Sequence, residues 1–184
     1  MRYADRVAGI SWETIEEVRR RLKERPALHF IAGEFVPSES GETFPSLDPA
    51  TNEVLGVAAR GGEREVDRAA KAAHEAFQRW SRTKAKERKR YLLRIAELIE
   101  KHADELAVVG CLDAGQVLRI VRAQVARAAE NFAFYAEYAE HAMEDRTFPV
   151  DRDWLYYTVR VPAGPVGIIA PWTAPLMLST WRIA

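Results

Sequence analysis

One cysteine and four histidines are the first candidates for nucleophilic, acid–base or metal chemistry in this sequence of 184 residues. Cys111 lies among Val108, Val109 and Leu112 with no histidine close by in sequence. A thiol in apolar surroundings resists ionisation, so Cys111 is expected to be a buried structural residue and not a nucleophile. His29, His74, His102 and His141 are scattered and lack metal-ligand spacing, and no metal site is expected. The basic run Lys84-Ala-Lys-Glu-Arg-Lys-Arg90 has the charge for a phosphate patch. The interleaved Glu87 and a net charge of zero favour a solvated helix face instead. Gly61-Gly62 and Gly164-x-x-Gly167 fall short of the dinucleotide fingerprint, which needs three glycines between a strand and a helix. There remains Gly164-Pro-Val-Gly-Ile-Ile-Ala-Pro-Trp-Thr-Ala-Pro175, an apolar run that turns into a helix behind Thr173. On local chemistry alone, Thr173 reads as a cap for that helix.

The elements around this segment follow from the hydrophobic period. Residues 11 to 24 read as a helix with Trp12, Ile15, Val18 and Leu22 on one face, Thr14 and Glu17 as a capping box, and Pro26 ending it. Phe30-Ile31 and Phe35-Val36 flank Ala32-Gly33-Glu34 as a hairpin, Ser38 to Gly41 is a polar turn, and Glu53 to Ala59 is a further strand. From Glu63 the period is helical, with Val66, Ala69, Ala70, Ala73, Phe77 and Trp80 in one stripe. Helices are predicted over 84 to 101 (Leu92, Ile95, Ala96 and Ile99 inward), 103 to 112, and 116 to 142. The last carries Val117, Val121, Val125, Ala128, Phe132, Tyr135 and Ala139. Phe148-Pro149-Val150 and Leu155 to Val161 read as two strands joined by Asp151-Arg-Asp153, with Trp154, Tyr156 and Tyr157 packing in the core or against another subunit. Val166 to Ala170 has the continuous apolar character of a strand buried on both faces of an α/β sheet. A helix starts near Pro175 and has no stop signal before Ala184. Since a parallel strand and helix need a second strand to return to, the chain reads as cut in mid-motif.

Composition bounds the function classes. With 48% hydrophobic and 29% charged residues the chain is ordinary globular material. Lys plus Arg and Asp plus Glu both count 27, so a polyanionic partner such as nucleic acid is not favoured. A single cysteine cannot form an internal disulfide, which fits a reducing cytoplasm. The first residues show no apolar segment followed by a cleavage site, and no apolar run approaches the roughly 20 residues that span a bilayer. A soluble cytoplasmic protein without membrane or nucleic-acid partners is expected.

The turn at 164 to 175 is similar to the aldehyde dehydrogenase segment G-P-V-G-I-I-x-P-W-N-x-P. Upstream and in the family's order, Ile31-Ala-Gly-Glu-Phe-Val36 resembles its N-terminal hairpin and Asp48-Pro-Ala-Thr-Asn-Glu53 its D-P-A-T-x-E turn. Val66-Asp67 with Phe77 and Trp80 resembles its first helix, and Leu112-Asp-Ala-Gly115 its D-x-G-K turn. The series is collinear over roughly residues 28 to 184. It points most closely to the branch that oxidises a hydroxymuconate semialdehyde in aromatic-acid breakdown.

This resemblance implies an α/β fold of aldehyde dehydrogenase type. Residues 1–27 form a helical extension, and 28–143 the hairpin and helical part of a cofactor-binding domain. Residues 144–161 form an oligomerisation strand arm, and 162–184 the start of a Rossmann-like parallel sheet. It implies NAD or NADP as cofactor, a small-molecule aldehyde as substrate, and a homodimer or homotetramer built through the arm. Ile169, Ala170, Pro171 and Trp172 match positions lining the nicotinamide side of the cofactor cleft, and Thr173 matches the oxyanion asparagine. Ala174, Leu178 and Trp181 match the wall of the aldehyde tunnel. The family's nucleophilic cysteine, its glutamate base and its phosphate and ribose contacts match no residue of this chain, so the chain alone is expected to be inactive. Three positions depart from the family pattern: Thr173 for asparagine, Gly110 where glutamate is frequent, and Ala170 where polar residues are common. The alternative class is a non-enzymatic α+β interaction protein that oligomerises through the 116 to 142 helix and the arm.

Overall fold

Val121, Val125, Ala128 and Phe132, spaced by four, three and four, fall on one helix face, and all four are buried. Their helix is the centre of a computed structural model of the chain, which describes residues 6–7, 9–141, 147–149 and 153–184. In chain order come β1 (Arg6–Val7), β2 (Ile10–Ser11), α1 (Trp12–Glu24), β3 (His29–Ile31), β4 (Glu34–Val36), β5 (Thr43–Leu47) and β6 (Val54–Ala59). Then follow α2 (Glu63–Trp80), α3 (Ala85–Lys101), α4 (Ala103–Ala114), α5 (Leu118–Tyr138), β7 (Thr147–Pro149), β8 (Leu155–Tyr157) and α6 (Pro175–Ile183). Helix α5 packs against α3, α4 and α6. Its stripe meets Ala96 and Ile99 of α3 and Val108 and Leu112 of α4, while Ile15 and Val18 of α1 and Leu55 of β6 complete the same core.

The strands pair as four two-stranded antiparallel ladders, β1–β2, β3–β4, β5–β6 and β7–β8, with one isolated parallel bridge between Ala27 and Ala58. The β3–β4 hairpin turns through Ala32 and Gly33, both at positive φ (56° and 89°), the backbone that a two-residue hairpin loop requires. The β5 strand is not legible as one, because Pro45 lies inside it. Opposite Val57 in a two-stranded ladder, Pro45 can leave its donor-less nitrogen on the open side.

Several expectations are corrected. The described residues contain no parallel sheet, and Val166–Ala170 forms no strand. Ile169 is 93% exposed, the opposite of a doubly buried strand. A strand exists only through ladder hydrogen bonds to a neighbour, and no described segment forms a ladder with this one. The helix α1 is capped by Ser11, whose Oγ accepts from the Thr14 N–H at 3.1 Å; Glu17 pairs with Arg20 instead of completing a box. The α2 stripe is formed but not covered: Val66 and Trp80 are exposed and Phe77 is half-buried, because α2 makes its main contact with β3 alone. Helix α5 starts at Leu118, leaving Val117 exposed as its cap residue, and Ala136 is buried in place of Ala139. Strand β8 stops at Tyr157, so only part of Leu155–Val161 lies in the ladder with β7. Asp151 and Arg152 of the linking turn, like 142–146 and Val150, lie outside the described residues.

The start of α2 carries a pH-dependent contact. Gly62 at the cap position has no side chain, so only the return half of a capping box forms. Glu65 accepts from the Gly62 N–H at 2.7 Å and from the Glu39 N–H at 2.8 Å, almost fully covered. These backbone donors, Glu39 first, hold the Glu65 carboxyl below its ordinary value of 4.5. A depressed folded value means the stabilisation is complete above pH 4.5 and is lost as pH falls through the lowered value. Acid titration of Glu65→Gln by circular dichroism should therefore show a smaller loss of stability below that pH than the unaltered chain. Identical acid limbs would remove this assignment.

Candidate functional site

Two of the motifs quoted above dock on each other. Asp48 is buried; its Oδ1 accepts from the Ala50 N–H at 2.9 Å, its carbonyl accepts from the Asn52 N–H at 2.7 Å, and Arg19 reaches Oδ2 at 3.4 Å. This holds Pro49 against Gly115, where an added Cβ would stand 2.6 Å from Pro49 Cγ. Gly115 ends α4 at φ +66° and donates to the Cys111 carbonyl at 3.0 Å. Ser46 Oγ donates to Asp113 Oδ1 at 2.6 Å across the same junction. Glycine is required at 115 on two counts, backbone region and space.

The junction delivers Gln116 to the turn before α6. Gln116 Nε2 donates to the Thr173 carbonyl, and Gln116 Oε1 accepts from Gln124 Nε2 at 3.1 Å. A second anchor lies along α6. Asn131, buried on the inner stripe of α5, donates through Nδ2 to Thr180 Oγ1 at 2.9 Å and to the Met177 carbonyl at 3.3 Å. Thr180 Oγ1 in turn donates to that carbonyl at 2.7 Å. Pro175 opens α6, where its missing N–H costs nothing.

The candidate residues divide into two groups. Ile169, Pro171 and Trp172 project from the chain, with Trp172 76% exposed, and Ala170 is half-buried. Ala174 is buried, Leu178 half-buried and Trp181 half-exposed, and spacings of four and three put them on one face of the α6 segment. That face adjoins the one carrying Met177 and Thr180, which is docked on α5. Thr173 is exposed and does not cap α6; the cap residue is Ala174, with no side-chain bond. Thr173 is engaged through its carbonyl, so its hydroxyl stays available to a ligand.

Cys111 is half-buried, and burial first, then the Asp48 carboxylate, push its thiol pKa up. It stays protonated at neutral pH and lacks a thiolate's reactivity. Gly110 packs where a Cβ would stand 2.8 Å from Val121 Cγ1, beside a cavity of about 30 Å³ lined by Gln116, Gln124 and Leu176 among others. Among the described residues no three metal-capable side chains converge, and no helix is long and apolar enough to cross a membrane. Sequence reasoning missed Gln116, Gln124 and Asn131. Asn131 had a usable signal, a polar residue on an otherwise apolar helix face; the two glutamines had none until α4, α5 and the turn were placed together.

Residues 35–184 match the model of the aldehyde dehydrogenase family, and the chain belongs to that family. Among solved structures it is similar to HpcC from Thermus thermophilus, with 98% identity and a TM-score of 0.95 over 100% of this chain and 36% of that one. It is also similar to an aldehyde dehydrogenase from Bacillus cereus in its NAD+ complex, at 35% identity and a TM-score of 0.84 over 89% of this chain and 34% of that one. Among curated proteins, the 5-carboxymethyl-2-hydroxymuconate semialdehyde dehydrogenase of Escherichia coli is 36% identical over 85% of this chain and 33% of its own length. The chain thus spans about a third of the relatives it matches and corresponds to their N-terminal portion.

Proposed function

We propose that this chain is the part of an NAD(P)-dependent semialdehyde dehydrogenase that forms one wall of its reaction cleft. The observation that carries the reading is the collinear family match over residues 35–184, which ends in the turn and helix holding every candidate residue. The semialdehyde preference rests on likeness to the Escherichia coli enzyme, and the dinucleotide on the NAD+ complex of the Bacillus cereus relative.

The residues present suit the cofactor. Ile169 and Trp172 expose apolar surface on a segment free of ladder hydrogen bonds, which fits one face of a flat nicotinamide ring and keeps water from it. When bound, the nicotinamide supplies the hydride acceptor for oxidation of aldehyde to acid. Ile169, Ala170, Pro171 and Trp172 form its wall. The Thr173 hydroxyl serves as a donor to the oxygen that gains charge. Ala174, Leu178 and Trp181 line the aldehyde's path and exclude water. Residues 144–161 join subunits into a homodimer or homotetramer. Cys111, protonated and half-buried, is not the nucleophile.

The test compares two proteins. The full-length protein carrying this segment, given 5-carboxymethyl-2-hydroxymuconate semialdehyde and NAD+, should form NADH. The 184-residue chain alone should form none. Turnover by the isolated chain, or none by the full-length protein with this or any other aldehyde, overturns the reading.

A further inference from the structure

We propose that Gln116 is a positioning residue for the oxyanion turn, acting on Thr173 through the Thr173 carbonyl; this rests on the reading of Thr173 given above. Residues 171–173 are exposed, Trp172 and Thr173 form a turn, and among the described residues the side-chain hydrogen bond to this turn comes from Gln116 Nε2. The prolines at the two ends of the turn remove part of its freedom. Pro171 and Pro175 fix their own φ angles, and Pro175 restricts Ala174, which sits at φ −152°. Trp172 and Thr173 keep both of their dihedrals, and a donor on the Thr173 carbonyl restrains the peptide plane between Thr173 and Ala174. That plane sets where the Thr173 side chain leaves the backbone, hence where its hydroxyl points.

The donor's own orientation is determined. Gln116 Oε1 accepts from Gln124 Nε2, so Nε2 is the end left to face Thr173. Flipping the Gln116 amide would set oxygen against the Thr173 carbonyl and nitrogen against the Gln124 amide. The relay runs Gln124 to Gln116 to Thr173, and its base is braced by Pro49 seated on Gly115. Helix α6 does not depend on it, since Asn131 holds Met177 and Thr180 separately. Loss of the Gln116 donor should therefore loosen the turn while α6 stays docked.

Two variants of the full-length protein separate donor from packing. Gln116→Glu keeps the shape and replaces the donor by an acceptor; Gln116→Lys keeps a donor. Gln116→Glu should lower kcat on the order of tenfold to a hundredfold with the aldehyde KM unchanged, and Gln116→Lys should restore most of the rate. A readout apart from turnover is the fluorine resonance of 5-fluorotryptophan at Trp172, assigned with Trp172→Phe. It should shift or broaden in Gln116→Glu and not in Gln116→Lys. A Gln116→Glu protein with unaltered kcat and resonance overturns the proposal and leaves the parent reading standing. Equal losses in both variants, with equal falls in thermal midpoint, make Gln116 a packing residue and also overturn it. An unaltered full-length protein that oxidises no aldehyde sinks the parent reading, and this proposal with it.

Discussion

Thr173→Asn in the full-length protein should raise kcat for aldehyde oxidation by about 10²- to 10³-fold, the usual effect of one oxyanion donor. Threonine offers one hydroxyl on a short β-branched stem, whereas asparagine offers an amide N–H with longer reach. The substitution has little structural cost. Thr173 is exposed and does not cap α6, so no capping bond is lost. The bond from Gln116 goes to the backbone carbonyl, which asparagine keeps. Because charge appears on the oxygen only as the reaction proceeds, the gain belongs in kcat and the aldehyde KM should change little. Steady-state NADH formation by both proteins decides it. Equal rates would mean that residue 173 does not face the developing oxyanion.

The same turn shows how far a sequence can be read. The α5 stripe was legible because its partners are local: Val121, Val125, Ala128 and Phe132 need only a helix face, and α3 and α4 lie next to it in the chain. Val166–Ala170 has an equally clear apolar pattern, yet Ile169 ends up exposed. Its burial depends on neighbouring strands that the described residues do not place there, and a pattern states a demand for burial without stating who meets it. The α2 stripe fails in the same way at Val66 and Trp80. Within the candidate site, Ala174, Leu178 and Trp181 share a face by helical spacing alone. The Gln116 contact spans 57 residues and starts beside the Pro49–Gly115 junction, so no local pattern announces it. The capping expectation at Thr173 went wrong for a local reason. Pro175 fixes where α6 begins, and that moves the cap one residue on, to Ala174.

Phe132→Ala should cost the chain about 3–5 kcal/mol of stability, against no more than about 1.5 kcal/mol for Phe134→Ala. The two residues have the same side chain and lie two apart on α5, so composition and helix propensity cancel between them. Phe132 is 4% exposed in the core shared by α1, α3, α4 and α5, and truncation there loses transfer energy and opens a cavity. Phe134 is 62% exposed and lies edge-on to Tyr135 at 5.1 Å and stacked on Tyr138 at 6.1 Å. Urea unfolding followed by circular dichroism gives both values, and similar losses would show that α5 is not the central helix. The contrast should extend to the candidate site. Phe132 adjoins Asn131, whose amide holds Met177 and Thr180 of α6, so a cavity at 132 releases the helix bearing Leu178 and Trp181. Hydrogen exchange across 176–183 should therefore quicken in Phe132→Ala and not in Phe134→Ala, since the pair Phe134 and Tyr138 makes no hydrogen bond to α6. The proposed aldehyde wall thus hangs on Asn131, whose position on α5 depends on the core packing that Phe132 beside it completes.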